Sequence, residues 1–557
     1  MIRGDADEQS LFTRASAFVR AHHIASDVDV GPLFESPPAD CDPEILNRLW
    51  QMYQAGGWVL VESTIADLPA DLRWLFESGA VTIEQLGVIH EALGATSAAD
   101  LAAAVSAHAI RGLRGLGEPV ETAVASALPG LRAQVPRIPL GRATSIVEPV
   151  LEHLRAVAGI GWAQPVGSLR RGQDTIGDIE IVAAAADPSR AVLELLHLTE
   201  STHCLHQSAR RLCLLTDRVQ VGIRLPEPGN AGATLLYLTG SAAHFDRLRA
   251  HAVTKGWQLT PAGLHAGDGT LRPAATEDEI YAALGLPCIP PEIRDGGEEI
   301  AAALCGDLPV LVRREDIRGD LHMHSMWSDG RDSIAAMVDT CRALGYQYMA
   351  ITDHSPHSAA SRNLMSDGVN KQAEEIAALR ERHPDIAILH GCEVDIMADG
   401  RLDFPDRVLE RFDIVLASLH ERAGHGPEQL MKRYLSAMQH PLVTMITHPT
   451  NRLVPHRAGY ELDYDRLFAA AAEMKTVVEI DGSPAHLDLD GALARRAVAE
   501  GATLAIDSDS HRAEMLDRQM RLGIVTARRG WVEPRHVLNT RPLDEVRAVI
   551  AAKRGPR

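Results

Sequence analysis

At 557 residues the chain is too long for one ordinary hydrophobic core, and its 46% hydrophobic and 23% charged residues fit a globular protein of two to four domains. The net charge of −20 argues against broad nonspecific adhesion to nucleic acid, and no apolar run approaches the roughly 20 residues that span a bilayer. Seven scattered cysteines without a CxxC pair, and a start, MIRGDADEQS, without the basic-then-apolar order of a signal peptide, lead us to expect a cytoplasmic protein with no membrane attachment.

Residues 1–42 show little sustained periodicity, end in a Pro-rich stretch, and read as a poorly specified leader. From 43 to 135 the apolar spacing is helical, interrupted by Leu113-Arg-Gly-Leu-Gly-Glu-Pro-Val, a Gly-x-Gly turn between helices. From 136 to 232 β-like runs appear, GDIEIVAAA and RLCLLTDRVQVGIRL. Residues 233–290 form a further helical and loop segment, and Pro/Gly-rich residues 291–315 read as a linker.

Beyond Asp316 short apolar strands alternate with helices: GDLHMH, YMAITDH, IAILHGCEVDI, DIVLASLH, VTMITHPT, TVVEIDGSP and TLAIDSDSH. Seven such units imply a parallel sheet closed into a barrel or near-barrel over 316–557. At the C-terminal ends of these strands stand His322 and His324, Asp353 and His354, Glu393, His420, His448, Asp481, then Asp509 and His511. That edge is where α/β barrels assemble active sites, and core filling has no use for imidazole at every strand end. The spacing of His322 with His324, and of Asp509 with His511, puts each pair on one face of an extended strand. Nitrogen and oxygen donors without thiolate suit zinc, manganese or iron, and the set is too large for one ion, so two to three metals are expected. His357, His383, His440, His456 and His486 fall outside the pattern and read as ordinary histidines.

The runs DLHMHSMWSDG, ITDHS, GCEVDI, ASLHE, THPT and DSDSH resemble the polymerase-and-histidinol-phosphatase (PHP) family. The resemblance implies a distorted seven-stranded, TIM-like (β/α)7 barrel with a trinuclear metal site. Its ligands would be His322, His324, Asp329, His354, Glu393, His420, His448, Asp509 and His511, with Glu393 bridging two metals. Glu393, His324 and Asp509 would carry the catalytic chemistry.

Upstream, Gly167-Ser168-Leu-Arg170-Arg171 and Gly177-Asp178-Ile-Glu180 resemble the nucleotidyltransferase signature of family X DNA polymerases, and Thr239-Gly240-Ser241 that family's later nucleotide-contacting turn. The resemblance implies an α+β palm in which Gly167, Ser168, Arg171, Thr239, Gly240 and Ser241 meet a nucleotide while Asp178 and Glu180 hold magnesium. The segment at 233–290 would be thumb-like. Gly115 and Gly117 resemble a helix-hairpin-helix clamp on DNA, although Glu118 stands where the family has a basic residue. The order is that of bacterial family X polymerases with a fused PHP domain.

Two departures matter. The second catalytic strand reads Val219-Gln-Val-Gly222-Ile-Arg224, with Gly222 where the family carries its third aspartate, and Asp217 lies roughly 16 Å along the strand on the other face. No lysine precedes Lys255, which removes the amine that Schiff-base lyase chemistry needs. Polymerase activity is therefore expected to be absent or very weak. The expected function is a metal-dependent 3′-5′ exonuclease or 3′-phosphoesterase acting on gapped duplex or 3′ ends in DNA repair, with Arg362 and Arg452 as candidate phosphate clamps. A phosphomonoesterase of the histidinol-phosphate kind and a non-catalytic DNA-binding scaffold are the competing readings.

Overall fold

The alternating strands after Asp316 fold, in a computed structural model, into one seven-stranded sheet whose order follows the sequence and whose pairs are all parallel. The structure describes residues 78–93 and 107–131, single positions elsewhere before 137, and 137–555 except 158, 178, 196–202, 209, 217–218 and 359. Nearly all of the 1–42 segment, Asp178 and Asp217 thus lie outside the described residues. Among the described residues no helix is long and apolar enough to cross a membrane.

The chain divides into two compact units, one of residues 1–137 with short stretches near 201–203 and 214–220, the other holding the rest. In the first, helices Ile83–Leu93 and Gly117–Leu131 bury Leu86, Ile89 and Val124 in a common core that Leu116 of the preceding turn joins. The turn before the second helix needs left-handed backbone at Gly115 (φ 87°) and Gly117 (φ 69°), conformations that a side chain would strain.

The second unit begins with the palm. Strand Ile160–Pro165 pairs antiparallel with Ile179–Ala185, which pairs in parallel with Val219–Arg224, placing Glu180 opposite Gly222. A small core of Leu236, Phe245, Leu248, Ile280 and Tyr281 follows. The segment expected as a linker, 291–315, instead carries helix Glu299–Cys305, and Ile293, Ile300, Ala303 and Leu311 join that core. Arg294 is fully buried and donates to Glu277 at 2.6 Å and to the Ile289 carbonyl at 2.8 Å, so the stretch is fixed rather than loose.

In the barrel the strand residues alternate between two buried faces, which is why these strands read as continuous apolar runs. Met349, Ile351, Val415 and Ile446 face the surrounding helices, while Tyr348, Ala350, Leu416 and Met445 fill the interior. Leu538 with Val546 and Ile550 of the last helix, Leu543–Arg554, plugs the N-terminal end of that interior. Each such side chain contributes about 2 kcal/mol of burial. First and last strands meet beyond their regular ends, where His324 N–H donates to Ser510 O at 2.9 Å and Asp509 N–H to His322 O at 3.0 Å. The lower interior is apolar, and polar side chains collect at the C-terminal mouth, where the first and last strands meet.

Candidate metal centre

Glu393 lies near the end of the long third strand, Ala387–Asp395, fully buried among five imidazoles. Its Oε2 stands 2.8 Å from His354 Nδ1, 3.5 Å from His322 Nε2 and 3.7 Å from His324 Nε2, and makes no hydrogen bond. Its Oε1 lies 2.8 Å from His448 Nε2 and 3.5 Å from His420 Nε2, and accepts from Thr447 Oγ1 at 3.0 Å. A buried carboxylate oxygen without a donor is costly unless a cation faces it.

Among the described residues three groups of donors converge closely enough for an ion: His324, Asp329, His354 and His511; His322, His324 and Asp509; and His354, Glu393 and His420. His324 Nε2 faces Asp509 Oδ1 at 3.0 Å, and His511 Nε2 faces Asp329 Oδ1 at 3.2 Å. Two imidazole nitrogens, His322 Nε2 and His324 Nε2, approach to 3.1 Å, an arrangement that suits lone pairs directed at shared cations. The structure thus brings eight of the nine expected ligands into these groups, and His448 beside them through Glu393. This donor set fits nitrogen- and oxygen-ligated metals in a cluster.

The local charge balance agrees. Burial alone would raise Glu393 and Asp509, but the imidazoles around them hold both carboxyls well below the usual range. Burial presses His354 and His511 down, yet facing carboxylates lift both to about 9. His324, buried and flanked by His354 and His511, is lowered to about 4. Acids are thus kept ionised beside nitrogens that give up protons when a metal binds.

Residues beyond the ligands set their orientation. Glu479 Oε1 takes His322 Nδ1 at 2.6 Å while its Oε2 accepts from His448 N–H at 2.7 Å, and Asp395 Oδ1 takes His420 Nδ1 at 3.0 Å. Each leaves the other ring nitrogen free to bind. Sequence reasoning missed Glu479. The signal was there: it lies two residues before Asp481 in VVEID, hence on the same face of the strand.

Some strand-end residues serve other ends. Asp353 accepts from the backbone N–H and hydroxyl of both Ser325 and Ser328, and from Gln372, which fixes the loop carrying Asp329. Asp481 lies outside the three groups and accepts from Ser483 N–H at 2.6 Å; burial, with Asp509 and Glu479 nearby, raises its pKa well above the usual value. Asp509 and His511 lie past the end of strand Leu504–Asp507, and Asp509 (φ 50°) and His448 (φ 25°) take left-handed backbone. Their convergence comes from loop geometry, not from strand alternation. His486 stacks on His448 with centroids 5.5 Å apart and meets the Arg452 carbonyl through Nδ1 at 2.9 Å.

Of the two candidate phosphate clamps, Arg362 is exposed, its Nη2 3.4 Å from the carbonyl of Gly330. Arg452 is engaged: it donates to the carbonyls of His486 and Leu487 and, at 2.7 Å, to Asp174. The two palm turns do meet, since Arg170 donates to Thr239 Oγ1 at 2.7 Å and Arg171 to the Thr239 carbonyl. Gly240 (φ 64°) turns the chain, and Ser241 Oγ caps helix Ala242–Thr254. Gly167 and Ser168 open the short helix Gly167–Arg170 beside them.

A model of the DNA polymerase beta thumb matches residues 234–295, and one of the PHP domain matches 320–479. A "DNA polymerase/3′-5′ exonuclease PolX" of Bacillus subtilis (strain 168) is 35% identical over 494 residues, 88% of this chain and 86% of that protein. A "Probable phosphatase" of Caldanaerobacter subterraneus is 29% identical over 205 residues, 34% of this chain and 75% of its own length. Among solved structures, a histidinol phosphate phosphatase of Lactococcus lactis, complexed with zinc, L-histidinol and phosphate, covers 39% of this chain and 95% of its own at 19% identity and a TM-score of 0.30.

Proposed function

This chain belongs to the family of the bacterial DNA polymerase/3′-5′ exonuclease PolX, and from that premise we propose that its barrel is a metal-dependent phosphoesterase that removes nucleotides from DNA 3′ ends. The observation that carries this reading is Glu393, whose two oxygens face five imidazoles drawn from four strand ends. Three convergent donor groups support a cluster of two to three divalent ions, zinc, manganese or iron, held by His322, His324, Asp329, His354, Glu393, His420, His448, Asp509 and His511. Such a cluster supplies a hydroxide nucleophile at neutral pH and neutralises phosphoryl oxygens.

The chain's own residues do the rest. Glu393 would offer both carboxylate oxygens to the metals, and Glu479 and Asp395 hold the tautomers of His322 and His420. Asp353 fixes the Asp329 loop, and the exposed Arg362, beside the Gly330 carbonyl, is our candidate to meet a substrate phosphate. Gapped duplex and 3′ ends are the DNA substrates we propose, and the cytoplasm the compartment. We further assign 43–135 to DNA binding, 136–232 to the palm, 233–290 to the thumb and 316–557 to the hydrolase, with polymerisation absent or very weak because Gly222 replaces a carboxylate.

The test is direct. Purified protein with manganese should shorten a 3′-recessed or gapped labelled duplex from its 3′ end and leave histidinol phosphate untouched. Release of phosphate from histidinol phosphate with intact DNA would move the assignment to the small-molecule phosphatases. Loss of neither substrate, with retained DNA binding, would make the protein a scaffold.

A further inference from the structure

Among the described residues of the barrel, 316–557, only two large apolar side chains are exposed, Met326 at 52% and Met365 at 54%. Both stand on loops that carry candidate ligands. Met326 lies two residues past His324 and three before Asp329, and Met365 follows His354 in the loop that leads to helix Gly368–Arg382. His324, Asp329 and His354 belong to one of the three donor groups, so both methionines attach to the same part of the centre.

The two loops are fixed and adjoin each other. A Cβ at Gly330 would stand 2.6 Å from the His324 carbonyl carbon, and Met326 N–H donates to the Asp332 carbonyl at 3.0 Å, so this stretch is a tight bend that returns to its own ligand. Leu364 N–H donates to the His354 carbonyl at 2.8 Å, which folds the second loop back in the same way. Trp327 joins them: a Cβ at Gly368 would lie 3.5 Å from its Cζ3, and its Nε1 donates to Glu375 at 2.8 Å. Arg362 Nη2 meets the Gly330 carbonyl at 3.4 Å. Trp327 is thus turned into the helix layer while its neighbour Met326 stays in solvent.

A single exposed methionine needs no explanation, but two on adjoining ligand loops form an apolar rim where the rest of the barrel keeps its large apolar side chains covered. A phosphodiester held at the metals brings a sugar and a base with it, and the base is the planar apolar part. The methionine thioether is polarizable and unbranched, so it packs on an aromatic face without demanding one shape. Arg331 and Arg362, exposed on the same two loops, add positive charge beside it, the usual company of a stacking surface for nucleic acid. Resting on the exonuclease reading above, we propose that Met326 and Met365 form an apolar platform that holds the terminal base of the DNA strand while its phosphate lies at the metal centre. The platform senses that a base is present and not which base it is.

Two readouts test this. With manganese and a labelled 3′-recessed duplex, KM should be about tenfold lower when the last nucleotide carries a base than when it is abasic. Met326→Ser with Met365→Ser should raise KM for the base-bearing end to the abasic value, while metal content and melting temperature stay those of wild type. Met326→Leu with Met365→Leu, which keeps the apolar surface, should restore the difference. The second readout needs no cleavage. Hydrogen peroxide should convert both exposed methionines of the zinc-loaded protein to sulfoxides, with the buried Met337 and Met349 as slow references. A strand with a phosphorothioate at its last linkage should slow both oxidations severalfold when it ends in a base and leave them unchanged when it ends abasic. Equal KM for the two ends, or equal oxidation with the two strands, overturns the platform and leaves the exonuclease reading standing where DNA is shortened. DNA left intact with both methionines unprotected overturns both readings, and DNA left intact with base-dependent protection overturns hydrolysis and keeps the platform.

Discussion

The carboxylate of Asp174, at the end of the palm turn, accepts a hydrogen bond from Arg452 Nη1 at 2.7 Å, and Arg452 in turn holds the His486 and Leu487 carbonyls beside the metal centre. Arg529 donates to the second oxygen of Asp174. All three side chains are largely buried, with exposures between 13% and 23%. A palm loop is thereby tied to the loop that follows the proposed ligand His448. Burial alone would raise the Asp174 carboxyl, but the two guanidiniums hold it below its ordinary value.

Asp174→Asn should leave the buried Arg529 without its counter-charge and Arg452 with only the more distant carboxylate of Asp490, 3.7 Å away. We expect a loss of about 2 kcal/mol, read as a lower urea midpoint with an unchanged slope. An unaltered midpoint would show that the tie contributes nothing to stability.

Glu479→Gln should weaken metal retention about 10- to 100-fold, because it removes the charge that fixes the His322 ring and the backbone of His448. Competition with a chelator, followed by elemental analysis, measures this. Retention equal to wild type would mean that the ligands hold their geometry unaided.

Glu277 supplies the pH dependence. Burial would raise its carboxyl, but Arg294 and Arg170 lower it below the ordinary value. A depressed folded pKa contributes stability that is full above the unfolded value of about 4.3 and is lost as pH falls toward the folded one. Glu277→Gln should therefore melt lower than wild type at pH 7, with a smaller difference at pH 3.5, as thermal scans at the two pH values would reveal. A difference that grows on acidification would contradict this.

Eight of the nine proposed ligands were legible in the sequence because each stands at or just beyond a strand end, where alternation of apolar strand and helix marks the position without any knowledge of packing; Asp329, in a loop, came only from the family resemblance. Glu393 and His420 were found in this way. The roles of Asp353 and Arg452 were not, because they depend on partners far off in the chain: Gln372 for one, Asp174 for the other. Residues 291–315 read as a linker because proline and glycine dominate the local pattern, yet Arg294 finds Glu277 and draws the stretch into the core. That Glu180 lies opposite Gly222 follows from register, which only the folded sheet reveals.

The central claim is tested most directly by elemental analysis of the purified protein combined with a 3′-5′ nuclease assay on wild type and His324→Ala. The account predicts two to three equivalents of transition metal in wild type with shortening of labelled DNA, and loss of both metal and cleavage in the variant, whose DNA binding persists. Wild-type protein devoid of transition metal, or a variant that cuts at the wild-type rate, would contradict it.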